Sequence, residues 1–274
     1  MAFRTGIIKL RGKLGDLIHY ERDGKELTRS APESYNLSEN SKKTSAEFIS
    51  AVHAATLVYS GLRPFQKEVG DRNFTYRLNG SVMSIVYSGP EELKGSRRIT
   101  DGDIALLKQL EFNIYTPLEK LMPIEPIVRI EPTEMLTVRL PKGDPTTLFC
   151  IPPGFAGEAV LKFRCCVFYF DIENGRFTEP EDLKIPLDKN FPGGTLEIPL
   201  DAKENKVILL AAGLLFTKTK GTSASGDRKY YAGKIIEAVN VKDGNVVKFK
   251  YPDAVVEETI HEKQNKIAWK LDED

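Results

Sequence analysis

The apolar run VILLAAGLLF, residues 207–216, leaves few structural choices for the part of the chain that contains it. A helix that crosses a membrane needs about 20 apolar residues, so this run is too short for one. A short, continuous apolar run between turn residues is typical of a strand that is buried on both faces. The run therefore predicts a fully buried strand.

Other short strand-like segments fill the chain from Pro117 onward, and Pro, Gly or Asn separates most of them. Several such segments without helical patterns between them indicate an antiparallel sandwich or barrel. In residues 159–169 the odd positions are all apolar, while the even positions include Lys162 and Arg164. We therefore expect the odd face to lie on the core and the even face to be at least partly in contact with water.

A β-hairpin is predicted near the start of the chain. Residues 17–22 and 25–30 are strand-like, and Asp23-Gly24 between them can supply the positive φ angles of a tight turn. Since successive side chains of a strand point to opposite faces, residues 17, 19 and 21 should lie on one face and residues 18, 20 and 22 on the other.

Two helices are predicted after a polar linker at residues 31–43. Thr44 and Glu47 have the spacing of a capping box, so we expect the first helix to begin there and to end or bend at Ser60-Gly61. Apolar residues at helical intervals predict a second helix over residues 71–87. The two should form a helical hairpin.

The predicted fold class is α+β, with an N-terminal β-hairpin plus helical hairpin followed by an antiparallel β-sandwich. A chain of 274 residues suits one large or two modest domains. We place the N-terminal hairpin and helical region at residues 1–115 and the sandwich at residues 116–274.

Composition limits the cellular setting and the partners. The formal net charge is zero, so no global field attracts nucleic acid or cations. Three cysteines (Cys150, Cys165 and Cys166) do not suit a disulfide framework, and we interpret them as buried thiols in a reducing compartment. The N-terminus lacks the pattern of a secretory signal. We expect a cytoplasmic protein, or one that joins a particle assembled in the cytoplasm, with no membrane contact.

Searches for catalytic patterns give no candidate. The sequence has no G-x-S-x-G motif and no C-x-x-C spacing, and the GTSASG stretch at 221–226 continues with Asp-Arg where a phosphate loop needs Lys-Ser or Lys-Thr. We predict a protein that is not an enzyme, with no catalytic residue, metal ligand or cofactor. Whether the acidic loop at 171–182 binds a metal ion stays open.

Basic residues recur at the N-terminus, where residues 1–30 hold seven basic and four acidic residues. Lys25 and Arg29 could share a face with other cations and touch phosphates. The interspersed acids favour a solvated hairpin instead, and both interpretations stay open. Tyr230 and Tyr231, next to a loop at 218–230, are candidates for stacking on a ligand. The candidate interaction residues are Arg11, Lys13, Lys25, Arg29, Tyr230 and Tyr231.

The N-terminal third resembles an uncharacterised family of Bacteroidetes-type proteins. The matching positions lie in GKLGDLIHYERDGKELTRSAP and are Gly12, Gly15, Gly24, Arg29 and Pro32. In that family a Gly-x-x-Gly stretch leads into a strand, a basic turn and a helical region, and a β-rich half follows. The resemblance implies no activity, but some members are associated with phages or prophages. Glycines at such positions suit an architectural role, for example in an arm that takes part in assembly.

Three functions follow as hypotheses, beside a fourth, an enzyme with dispersed carboxylates, which would need a concave site with acids of perturbed pKa. The first is a non-enzymatic structural or protein-interaction module, a component of a larger, phage-like assembly, which binds a protein partner or a second copy through the hairpin. The second is a ligand-binding β-sandwich that recognises a glycan or a peptide. The third is a nucleic-acid-associated protein that uses the basic N-terminal hairpin.

Overall fold

The computed structural model describes most of the chain between residues 2 and 251. The described residues are 2–3, 10–32, 37–132, 134–151, 159–170, 175–178, 180, 182–187, 191, 193–200, 204–216 and 231–251. Helices and antiparallel sheets both occur, and the sheets dominate the second half. The α+β prediction is therefore confirmed.

The N-terminal strands form a small antiparallel sheet in the order β1-β4-β3-β2. Asp23 and Gly24 have φ angles of 54° and 71°, as a two-residue hairpin turn requires. The predicted hairpin is confirmed, and two further short strands extend it. The strands are β1 (Ala2–Phe3), β2 (Gly12–Leu14), β3 (Leu17–Arg22) and β4 (Lys25–Ser30).

Two long helices follow, α1 (Glu39–Val69) and α2 (Phe74–Ser88). The prediction that the first begins at Thr44 is wrong, because the Oγ atom of Ser38 accepts the Ser41 backbone N–H and caps the helix earlier. The expected end of the helix at Ser60-Gly61 is also wrong, while a bend at this point stays a prediction. The buried stripe of α1 continues without interruption past this point to Val69, so packing keeps the helix intact.

Three 3₁₀ turns, at Glu91–Leu93, Ile99–Asp101 and Ile104–Gln109, and the short helix α3 (Leu118–Leu121) lead into the β-rich half. Strands β5 (Ile127–Glu131) and β6 (Met135–Leu140) precede a second short helix, α4 (Pro145–Leu148). The remaining strands are β7 (Ala159–Tyr169), β8 (Arg176–Phe177), β9 (Asp182–Pro186), β10 (Gly194–Pro199), β11 (Lys206–Phe216), β12 (Tyr231–Lys242) and β13 (Asn245–Val247).

These strands form two antiparallel sheets. One has the order β10-β6-β5, and the other has the order β13-β12-β11-β7-β8 with β9 also paired to β7. Alternate residues of β11 lie in two different hydrophobic cores. Val207 and Leu209 pack with the helices, whereas Ile208 and Leu210 pack toward the three-stranded sheet. Burial of β11 on both faces explains its continuous apolar sequence and confirms the prediction.

The body therefore has three layers: helices α1 and α2, the six-stranded sheet, and the three-stranded sheet. The helix-side core contains residues from both sides of the predicted boundary at 115/116, for example Phe65 and Leu209. The boundary itself stays a prediction.

Strand β7 differs from expectation. Its even face was expected to be partly wet, but Lys162 is 0 % exposed and Arg164 is 3 % exposed. Helix α1 covers this face, and the two cations are neutralised there. Lys162 Nζ lies 2.8 Å from Glu68 Oε1 and 2.6 Å from Asp182 Oδ2, and Arg164 Nη1 lies 2.7 Å from Asp182 Oδ1. Paired charges can be buried where single ones cannot.

Candidate functional site

The register of the N-terminal sheet sorts its charged side chains by sign. Arg22 pairs with Lys25, and Ile18 pairs with Arg29, across strands β3 and β4. Lys13 of β2 pairs with Ile18 from the other side. Directly paired residues lie on the same face, and residues two apart on one strand also share a face. All four cations therefore lie on one face.

We call this surface the basic face. Each of its four cations is exposed, and three uncharged side chains lie between them. Within the strands described at residues 12–30, no carboxylate belongs to this face. Like charges on neighbouring strands are unfavourable unless something of opposite sign binds them. The residues of the basic face are Lys13, Ile18, Tyr20, Arg22, Lys25, Leu27 and Arg29.

The other surface, the acidic face, holds the glutamates. Glu21 and Glu26 pair across β3 and β4, and Leu14 pairs with Leu17. The two leucines are 62 % and 43 % exposed. The acids that are interspersed in sequence are thus separated from the cations in space, apart from Asp16 and from Asp23 in the turn, whose carboxylate lies 3.7 Å from Arg22 Nε.

Tyr20 lies at the centre of the basic face. Its ring is half-buried, it pairs with Leu27 across the hairpin, and the Arg29 guanidinium carbon lies 6.0 Å from the ring centroid. This distance is at the limit of a cation–π contact. The Lys13–Ile18–Arg29 row lies on one side of Tyr20 and the Arg22–Lys25 pair on the other.

The structure brings together three of the six residues predicted from sequence, namely Lys13, Lys25 and Arg29. Arg11 does not join them, because its guanidinium forms an ion pair with Glu21 of the acidic face. Tyr231 lies in the six-stranded sheet at the start of β12, where its carbonyl oxygen accepts a hydrogen bond from Asn113 Nδ2. Tyr230 and the whole 218–230 loop lie outside the described residues.

Sequence reasoning missed Tyr20 and Arg22 as members of this surface. The signal was present, since a two-residue Asp-Gly turn fixes the hairpin register and thereby places residue 22 opposite residue 25. Counting charges along the chain hid the segregation, whereas counting them by alternate positions would have shown it.

A groove of about 820 Å³ lies in the body between helix α1 and the segment that leads into the second 3₁₀ turn. Its walls combine apolar side chains with a histidine and two arginines, and no described lining residue is acidic. Gly175, within the predicted 171–182 loop, also lines the groove. Residues 171–174, 179 and 181 of that loop lie outside the described residues. The principal lining side chains are Ile49, His53, Leu57, Arg98 and Phe170.

A further ionic cluster joins the 3₁₀ region to strand β12. Burial raises the pKa of Glu111, although the Leu118 backbone N–H and the nearby Lys234 both oppose the change. Lys234 Nζ also lies 2.7 Å from Glu119 Oε1. Because each group has a partner within the cluster, the arrangement fastens the segment that contains α3 to the sheet.

The described residues hold no group of three His, Cys, Asp or Glu side chains that is arranged around a metal site. In the same part of the chain, no helix is both long and apolar enough to cross a membrane. Comparisons with models of known protein families, with curated proteins and with solved structures give no match to this chain.

Proposed function

We propose that the protein is a non-enzymatic interaction module that binds an acidic partner through the basic face of its N-terminal sheet. The observation that carries this proposal is the segregation of Lys13, Arg22, Lys25 and Arg29 from the acids of the same sheet. Exposed charges of one sign attract an opposite partner over several ångströms and orient it on approach. The layered body would serve as the scaffold to which this sheet is attached.

The wider setting belongs to the same proposal. A place in a larger assembly formed in the cytoplasm would suit a small sheet that has a charged face and takes no part in the two cores of the body. The resemblance to the Bacteroidetes-type family, with its phage-associated members, favours such a setting. Both remain predictions.

Immobilised heparin, a sulfated polyanion, tests the proposal without knowledge of the natural partner. The full-length protein should bind at low salt and elute at a defined salt concentration, because binding releases counterions. Reversal of two charges of the basic face, Lys25→Glu with Arg29→Glu, should abolish retention. The matched control is Lys42→Glu with Lys94→Glu, which makes the same change at exposed positions of the body.

Equal elution of the two double variants, or no retention of the wild-type protein, would refute the proposal. Circular dichroism of each variant, compared with the wild-type spectrum, shows whether a loss of retention comes from a loss of fold.

The groove supports a second candidate, a binding site for a glycan or a peptide. Its volume of about 820 Å³ lies within the range of ligand pockets, and its apolar walls carry a few polar groups, as such pockets usually do. Calorimetric titration with a panel of oligosaccharides and short peptides tests it. Ser50→Trp should fill the groove and block binding, whereas Ser84→Trp, on the exposed surface of α2, should not. A panel without a binder would count against this candidate.

A further inference from the structure

We infer that the acidic partner of the basic face is a single-stranded nucleic acid. This inference rests on the proposed function and specifies the chemistry of the partner. Its basis is the combination, on one face of the sheet, of exposed cations that could contact phosphates and a half-buried aromatic ring that could stack on a base.

The dimensions of the surface fit a short single strand. Strands β2, β3 and β4 lie side by side at about 4.8 Å spacing, which makes the face roughly 10 Å wide. Strands β3 and β4 have six residues each, so the face is about 20 Å long. This area accommodates about four nucleotides, the lower end of the site sizes of single oligonucleotide-binding domains.

The order of side chains along the face also fits. Ile18, Tyr20 and Arg22 follow one another at every second position of β3, so the Cα atom of Tyr20 lies about 7 Å from that of each neighbour along the strand. A base that stacks on Tyr20 would have cations on both sides of it, Arg29 and Lys13 toward one end and Arg22 and Lys25 toward the other. Sequence-tolerant single-strand binding proteins combine stacking rings and a cationic track in this way.

A second copy of the chain fits the surface less well. The acidic face offers Glu21 and Glu26 to four cations, and Arg11 already neutralises Glu21. Asp23 lies near Arg22, but the one uncompensated glutamate of the strand pairs, Glu26, cannot balance the other three cations of the basic face. A nucleic-acid strand carries one negative charge per nucleotide and matches the cations one for one.

Fluorescence anisotropy of a fluorescein-labelled dT12 oligonucleotide, titrated with the full-length protein, tests the inference. Binding should weaken as salt is added. A plot of the logarithm of the association constant against the logarithm of the salt concentration should have a slope no steeper than about −3, because each of four phosphate contacts contributes about −0.7 for a single strand. Tyr20→Ala should weaken binding roughly tenfold through lost stacking. Tyr20→Phe, which keeps the ring and guards against an effect of misfolding, should bind within about twofold of wild type.

The matched control is Tyr76→Ala, which removes a tyrosine that is 78 % exposed on helix α2. It should leave dT12 binding unchanged. Tighter binding of a 12-base-pair duplex than of dT12, or equal binding by Tyr20→Ala and Tyr20→Phe, would overturn the single-strand inference.

The heparin experiment separates the two proposals. Retention on heparin without any binding of dT12 at low salt would overturn the inference and leave the proposed function standing. In that case light scattering shows whether the partner is a second copy, through a mass that rises with concentration and falls with added salt. Absence of both heparin and dT12 binding would overturn both proposals.

Discussion

At the scale of single residues, Gly61 shows how closely helix α1 approaches the six-stranded sheet. Its carbonyl oxygen accepts a hydrogen bond from Arg164 Nε at 2.7 Å. A Cβ atom added at Gly61 would lie 2.7 Å from Cζ of the buried Phe168. Glycine is therefore needed here for space and not for an unusual backbone angle.

Gly61→Ala should lower the free energy of unfolding by about 1–3 kcal/mol, because the new methyl group overpacks the core. The control is Gly80→Ala in helix α2, where an added Cβ has nothing within 4 Å. Alanine should stabilise that helix position by about 0.5–1 kcal/mol. Urea denaturation measures both variants, and a stabilising effect of Gly61→Ala would contradict the close packing described here.

The three thiols differ in burial. The expectation that all are buried is wrong for Cys150, which lies exposed beyond α4, and holds only in part for Cys165, which is half-buried, whereas Cys166 is buried. Burial raises the pKa of Cys165 and that of Cys166 to about 12. Since the thiolate is the reactive form, iodoacetamide at pH 8 should modify Cys150 alone in the folded protein.

Mass spectrometry after labelling checks this result. One label should be added to the native wild-type protein, three after unfolding in guanidinium chloride, and none to native Cys150→Ser. Rapid native labelling of Cys165 or Cys166 would contradict the burial of strand β7.

At the scale of elements, strand β7 buries Lys162 and Arg164 under helix α1 because Asp182 of β9 accepts both. Desolvation tends to raise the pKa of Asp182, but hydrogen bonds and charge from Lys162 and Arg164 outweigh it and hold the pKa below its usual range. A lone cation in this position would be strongly unfavourable, so the three residues form one unit.

Asp182→Asn should lower the free energy of unfolding by about 3 kcal/mol at pH 7. This value is near the low end of the range for breaking a buried ion pair, because the carboxylate is partly exposed. The control, Glu204→Gln, removes an exposed ion pair with Arg176 and should cost less than about 1 kcal/mol. Urea denaturation at pH 7 measures both, and equal effects would contradict the buried unit.

The effect of Asp182→Asn on the free energy of unfolding should depend on pH. A carboxyl group with a depressed pKa in the folded state stabilises fully above its unfolded pKa, and this contribution is lost as pH falls through the folded pKa. The difference between wild type and Asp182→Asn should therefore shrink below about pH 4. A difference that stays constant down to pH 2 would contradict the assigned role of the ionised carboxylate.

Sequence patterns predicted the elements whose signals are local. The Asp23-Gly24 turn, the stripe of Phe74 and Leu78 in α2, and the apolar strand β11 depend on neighbouring residues alone. The cover of strand β7 could not be predicted, because Lys162 and Arg164 meet partners 94 and 18 positions away. The basic face lies between these cases, since its register follows from the turn but its third strand, β2, pairs without a strong local signal.

At the scale of the whole molecule, the N-terminal sheet and the layered body are built from different parts of the chain. Neither of the two hydrophobic cores described at residues 51–241 contains a residue of β1–β4. The sheet therefore contributes little to the packing that holds the body together.

Deletion of residues 1–30 should accordingly leave the thermal unfolding midpoint within about 2 °C of wild type and abolish retention on heparin. Differential scanning calorimetry and salt-gradient elution measure the two properties on the same preparation. A large drop in the unfolding midpoint would show that the sheet is part of the folding unit, contrary to this view.

Two neighbouring residues that lie on opposite faces of the sheet show whether the basic face itself binds the partner. Arg29→Gln and Ser30→Glu each change the net charge by −1, but residue 29 belongs to the basic face and residue 30 pairs with Leu17 on the other. Elution from heparin in a salt gradient compares them. We predict that Arg29→Gln elutes at clearly lower salt than wild type, while Ser30→Glu elutes with wild type. An equal shift for both variants would show that net charge, and not the basic face, determines binding.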